Sequence, residues 1–275
     1  MTLLRPPLAL ETMDVRPAQH SIVRGCRALI WSKPSALSAS DRRTLFDTLV
    51  SVSTEAFGAD STRFWDYRES RGFFDQISTF ALVVDPDYRV IGWSGFHRRS
   101  IDGHSYTYFD SSGIIPSYQG KGILSRLSSR FMAGEILGRN PLYRRHLVFR
   151  TRNPVLYLGF TGVVGAKRTY PKLNGAQPDR VVSIASDVAA WLEQLDLLDP
   201  VTLKIKNAYA VIPGMYGEEP LSGNKELDEH FATQLGPDDA YVMVIEGNSL
   251  VLLNYIIKTA VRGLVAKVRK SSNRR

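Results

Sequence analysis

The chain has 275 residues, 44% hydrophobic and 23% charged, proportions of a globular protein that exclude extensive disorder. Its one cysteine, Cys26, excludes an internal disulfide and any cysteine-based zinc site. The net charge of +8 is concentrated at one end: residues 249–275 hold seven Lys and Arg and no acid, leaving 28 basic against 27 acidic residues elsewhere.

Residues 1–20 read as a flexible arm. Pro6, Pro7 and Glu11 interrupt the stretch where a signal peptide needs an apolar run, so a cytoplasmic location is expected. Residues 23–31 predict a first strand. Ser40-Asp41 can cap a helix whose apolar positions Leu45, Leu49, Val52 and Ala56 share one face, ended by Gly58. A shorter helix is expected over 64–76. The runs 80–84 and 89–96 predict a hairpin on the turn Asp85-Pro86-Asp87. A further strand runs over 106–115, closes at Pro116, and leads through Gly120 and Gly122 to the helical stripe Ile123, Leu124, Leu127, Phe131 and Met132. A short strand at 147–150 precedes a helix opened by Asn153-Pro154, with proline at the first helical position. Helices at 184–198 and 225–235, a strand at 241–245 and a helix at 250–268 complete the chain.

The segment from Ser111 to Ser125 carries the chemistry. Glycines at a helix start let backbone N–H groups approach an anion, and the helix dipole favours negative charge there. A Walker A loop is excluded because Gly122 follows Lys121 and Ile115 stands where the earlier glycine belongs. The dinucleotide fingerprint fits weakly, since Pro116-Ser117-Tyr118 separate strand from turn and Ser125 replaces its third glycine. The stretch resembles motif A of the GNAT superfamily of acyl-CoA-dependent N-acyltransferases, in which a strand and a Pro-containing turn lead to Gln/Arg-x-x-Gly-x-Gly/Ala at a helix head. Gln119, Gly122 and Ile123 match in type and order, while Leu124 replaces the final small residue. The element order over about residues 21–170 agrees with that family.

The resemblance implies an α/β fold with a mixed, mostly antiparallel central sheet flanked by helices, and acetyl-CoA or another acyl-CoA as co-substrate. It implies that Gly113, Ile114 and Ile115 pair with the pantetheine arm, and that Gln119, Gly120, Lys121, Gly122, Ile123 and Leu124 bind the pyrophosphate. Asn153 resembles the asparagine that contacts the pantetheine arm. The family often places a general-acid tyrosine seven residues later; Phe160 stands there, and Tyr157, four residues on and on the same side of the helix, is the candidate acid, with packing as its alternative. Asp110 lies where the family often carries an acid. It reads either as general base, with Tyr108 as a relay, or as a strand-edge carboxylate paired with an arginine. The five histidines form no metal-binding pair, so no metal is expected. Ser94, in Gly92-Trp93-Ser94-Gly95, lacks the spacing of a nucleophile elbow.

From Ser249 onward an apolar stripe of Leu250, Leu253, Ile257, Val261 and Leu264 opposes Asn254, Lys258, Arg262 and Arg269. Such a helix fits docking on the protein's own core, which is the expectation here, or contact with an anionic membrane surface or an acidic acyl-carrier protein. No nucleic-acid motif accompanies it. The organisation expected is an arm (1–20), a GNAT-like acyltransferase domain (21–175), a C-terminal helical extension packed on it (176–248), and a basic amphipathic helix and tail (249–275). The activity expected is acyl transfer, most simply acetyl, from CoA to a small-molecule or peptide amine. The alternatives are long-chain or carrier-dependent transfer, or a CoA-binding module without turnover.

Overall fold

The computed structural model describes residues 8–23, 25–137, 145–211, 220–248, 250, 253 and 257. Helix α1 (Ala39–Phe57) starts where the Ser38 hydroxyl accepts from the Asp41 N–H and stops at Gly58, whose φ of 70° is left-handed. It buries Leu45, Leu49 and Val52, as the periodicity predicts. The helix expected over 64–76 is two, α2 (Thr62–Ser70) and α3 (Phe73–Gln76), broken at Gly72 with φ 66°.

The strands are β1 (Ala18–Ser21), β2 (Arg27–Trp31), β3 (Thr79–Val84), β4 (Val90–Ile101), β5 (His104–Phe109), β6 (Gly113–Ile114), β7 (Arg145–Thr151), β8 (Thr169–Tyr170), β9 (Leu198–Asp199), β10 (Lys204–Ile205) and β11 (Ala240–Gly247). They form one sheet in the order β1-β2-β3-β4-β5-β7-β11-β10-β9, with β6 on β4 and β8 on β11. Every pairing is antiparallel except β5 with β7. Between β6 and β7 lies α4 (Ile123–Leu137); α5 (Pro154–Val164), α6 (Asp179–Trp191) and α7 (Lys225–Gln234) follow. Strand, two helices, hairpin, strand, turn, helix, strand, helix is the order the resemblance implies, and the fold is GNAT-like.

Side chains alternate across the second half of the sheet, as strand geometry requires. Tyr106, Tyr108, Val148, Val242 and Val244 pack with Val181, Ile184 and Val188 of α6. Leu147, Phe149, Tyr241, Met243 and Ile245 pack with Tyr157 of α5 and Phe231 of α7.

Three expectations differ from what is seen. Residues 8–20 are docked: Leu8 and Met13 are buried, the Leu8 N–H donates to the Tyr88 carbonyl, and β1 pairs with β2. Residues 176–248 supply α6 to one face and β9, β10 and β11 to the sheet itself, so they complete the domain instead of packing on it from outside. Helix α6 occupies 179–191, not 184–198, because Glu193 takes a left-handed φ of 57°, leaving Leu195 and Leu197 exposed. The helix expected after Ser249 lies outside the described residues except at Leu250, Leu253 and Ile257, which are exposed where docking called for burial. Among the described residues no helix is long and apolar enough to cross a membrane.

Glu246 of β11 fastens α6 to the sheet, accepting from Arg180 at 2.5 and 2.9 Å, with His146 Nε2 3.7 Å away. Burial alone raises its pKa, but the bonds from His146 and Arg180 outweigh it and bring the carboxyl down to about 2. A depressed carboxylate stabilises above its unfolded pKa and loses that contribution as pH falls through the folded value. Glu246→Gln is therefore expected to lower the melting temperature at pH 7 by roughly 2–4 °C, with the difference shrinking below about pH 4.5 and gone near pH 2. Thermal scans of both proteins across that range check it.

Candidate active site

The two parallel strands share only three register positions, Tyr106 with His146, Thr107 with Leu147 and Tyr108 with Val148. Beyond them β7 continues along β11, while the chain after Phe109 follows β4, the Asp110 N–H donating to the Gly95 carbonyl at 3.1 Å. The parting coincides with a bulge. From Phe109 to Gly113 the chain takes four steps against the three from Phe96 to Trp93 on β4, so one extra residue is accommodated at Asp110-Ser111-Ser112. Among the described residues β6 is paired with β4 only.

The chain then reaches the turn. Gln119 Nε2 donates back to the Ile114 carbonyl at 3.0 Å, and Lys121 Nζ donates to the Ser117 carbonyl at 2.6 Å while lying 4.3 Å from the centre of the Tyr118 ring. Gly120 and Gly122 hold φ of 68° and 73°, which glycine adopts without strain, and a Cβ on either would meet nothing within 4 Å. Helix α4 begins at Ile123, so the N–H groups of its first turn have no partner within the helix. Unpaired backbone donors at a helix start beside the parting strands are the kind of group that can take an anion. Through its Nε2 bond Gln119 is tied to Ile114.

On the face toward α6, charged side chains crowd the last paired position. Asp110 accepts a very short bond from Arg68 Nη2, His97 Nε2 lies 2.7 Å from the same carboxylate oxygen, and the Ser111 N–H donates to the other at 2.6 Å. His97 Nδ1 is 3.1 Å from the Gln76 carbonyl oxygen. The ring of Trp191, at the end of α6, contacts His97 at 4.4 Å and Tyr108 at 5.3 Å between centres. Arg150, two residues past Val148 on β7, donates from Nε to the Tyr108 hydroxyl at 3.3 Å.

Burial pushes the Asp110 carboxyl up, but the Arg68 guanidinium and the His97 bond more than offset this and hold it well below the usual carboxylate range. The arginine-paired alternative describes its contacts. A carboxylate so held is ionised at neutral pH and a poor direct proton acceptor. Tyr108 is fully buried, and burial raises its pKa, so the phenol keeps its proton at neutral pH.

Asn153 caps α5, its side chain accepting from the Val155 N–H at 2.9 Å. Tyr157 is turned away from the Asp110 group: its hydroxyl donates to the Pro171 carbonyl at 3.0 Å and its ring packs against Phe231. It shares no hydrogen bond or ring contact with Asp110, Tyr108 or His97 among the described residues. On this geometry Tyr157→Phe is expected to leave acyl transfer unchanged and to cost about 1 kcal/mol of stability, the worth of one hydrogen bond. A rate loss on the order of 100-fold without loss of stability would restore the acid role.

Arg68, His97, Arg150 and Trp191 were not singled out from the sequence. They come from four separate elements, and only the alternation that places His97 opposite Tyr108 is visible locally. Among the described residues no group of three or more His, Cys, Asp or Glu is arranged to hold a metal.

The sequence matches no protein-family model and no curated protein. Solved structures resemble it in general arrangement. A GNAT family N-acetyltransferase (YhbS) from Escherichia coli, in complex with CoA, is 17% identical, with 51% of this chain and 71% of that one covered at a TM-score of 0.35. The ribosomal-protein-S18-alanine N-acetyltransferase from Escherichia coli is 11% identical, covering 80% and 93% at a TM-score of 0.39. The ribosomal-protein-S5-alanine acetyltransferase from Vibrio fischeri is 11% identical, covering 84% and 97% at 0.35.

Proposed function

We propose that this chain transfers an acyl group, acetyl in the simplest case, from CoA to an amine. The observation that carries the reading is the coincidence of three features at one place: parallel strands that part after Tyr108, a bulge at Asp110-Ser111-Ser112, and a glycine turn that opens the first turn of α4. The turn from Gln119 to Leu124 takes the pyrophosphate on backbone donors. The edge of β6 away from β4, at Gly113 to Ile115, takes the pantetheine arm, which leads the thioester toward the parting strands.

The amine nitrogen attacks the thioester carbonyl carbon; the N–C bond forms, the C–S bond breaks, the amine gives up a proton and the sulfur gains one. A thioester is already activated, so positioning and a modest proton path suffice. In this reading Asp110 anchors Arg68 and His97 and orders water that receives the amine proton. The Tyr108 hydroxyl, which accepts from Arg150 and retains its own proton, faces the sulfur as the relay.

A second reading, CoA binding without turnover, is favoured by the placement of Tyr157 on Pro171. Calorimetric titration with acetyl-CoA tests what both readings share, with saturable one-to-one binding expected and absence of binding overturning them. Release of free thiol that depends on an added amine separates the first from the second.

A further inference from the structure

The charges around the parting strands do not balance. Arg68 is matched by Asp110, Arg99 by Asp187 at 3.4 Å, and Arg71 by Glu193. Arg150 is different. Its Nε meets the Tyr108 hydroxyl, its Nη1 meets Gln194 Oε1 at 2.5 Å and the Ala208 carbonyl at 3.1 Å, and its guanidinium lies 5.6 Å from the centre of the Tyr209 ring. These partners are neutral, and among the described residues no carboxylate lies within ion-pair distance of it. Nη2 has no acceptor among the described residues, so its two N–H donors are left over.

Position matters as much as charge. Arg150 stands on β7 where that strand has left β5, and Asp110 stands on the opposite lip, close enough for its charge to act on Arg150. Arg150, Gln194, Tyr209 and Trp191 are half-buried. A guanidinium held by neutral oxygens, with its Nη2 donors left beside a reaction site, offers a carboxylate a charge-assisted bond from Nη2 and an uncompensated positive charge.

We infer that the acceptor is an amine that also bears a carboxylate, of the amino-acid type, with its carboxylate on Arg150 and its nitrogen turned toward Asp110 and the opening. This rests on the acyl-transfer reading and adds the acceptor class to it. The carboxylate of such an acceptor meets the unmatched guanidinium of Arg150, while Asp110, already matched by Arg68, leaves the nitrogen free to lose its proton. Before attack the ammonium yields its proton to water, and the carboxylate stays on Arg150 while the N–C bond forms and the C–S bond breaks.

The test compares free amino acids with their own amides (glycine, leucine, phenylalanine and glutamine against the corresponding carboxamides) as acceptors for acetyl-CoA and longer acyl-CoAs. Thiol release is read at matched free-amine concentration. At least one acid is expected to exceed its amide by about 10-fold or more in kcat/KM, and Arg150→Gln to lower the acid's kcat/KM by a similar factor, mainly through KM. Arg150→Lys, which keeps the charge and loses the planar group anchored on Tyr108, Gln194 and Ala208, is expected to recover only part. The comparison on the unaltered protein stands even if the variants fold poorly. Amides that serve as well as acids, or better, overturn the carboxylate assignment and leave acyl transfer standing. Acyl-CoA binding with no thiol release from any carboxylated amine also overturns it. Failure to bind acyl-CoA at all removes the transferase reading beneath it.

Discussion

Asp110→Asn is expected to lower the melting temperature at pH 7 by on the order of 10 °C, because removing one partner of a buried ion pair costs about 3–5 kcal/mol and each kcal/mol moves a chain of this size by roughly 2–4 °C. The Asp110 side chain is only 6% exposed and those of Arg68 and His97 12% and 3%, so water does little to screen the charge left behind. The sign of the pH dependence follows from the depressed pKa. The stabilisation is complete above the unfolded carboxylate range and fades as pH falls below about 4, so the two proteins converge in acid. Acyl transfer should fall by on the order of 100-fold, the scale of losing a proton path or the groups that orient it. If Asp110 acts only as a base, raising the pH until the amine is neutral restores most of the rate. If it anchors Arg68 and His97, the loss persists at high pH, and that is the outcome expected.

Gly122→Asp is expected to weaken acyl-CoA binding by at least ~10-fold, equivalent to about 1.4 kcal/mol. Two effects combine there: a side chain at a φ of 73°, and a negative charge at the helix N-terminus that the proposed function assigns to the pyrophosphate. Gly122→Asn separates them, since asparagine meets nearly the same backbone cost without the charge. The asparagine variant should retain most of the affinity. Equal affinity of the parent, Asn and Asp proteins in calorimetry would place the pyrophosphate elsewhere.

The turn was legible because its determinants are local. A positive φ at Gly120 and Gly122, a proline that ends a strand and the apolar stripe of α4 lie within about a dozen consecutive residues. The strand leading to it was legible as a run but not as two pieces: the break between β5 and β6 arises from its register against β4, which no local pattern encodes. Asp110 was visible as a candidate, and pairing with an arginine as one of its two readings, but its partners were not, because Arg68 lies on α2 and His97 on β4. Tyr157 was assigned by its spacing from Asn153, and tertiary packing turned its hydroxyl to Pro171. The strands β9 and β10, two residues each, are too short for any periodicity to announce. Their pairing with β11 makes residues 176–248 part of the sheet.

The central claim is that a thioester reaches the opening between β5 and β7 and loses its acyl group there to an amine. The most direct measurement follows thiol release and product mass together, with purified protein, acetyl-CoA and an amino-acid acceptor panel. Free CoA is predicted to appear in step with an acetylated amine, faster than with protein omitted and slowed by both Gly122→Asp and Asp110→Asn. Acetyl-CoA that stays intact across the panel, in protein shown to be folded, would contradict the claim.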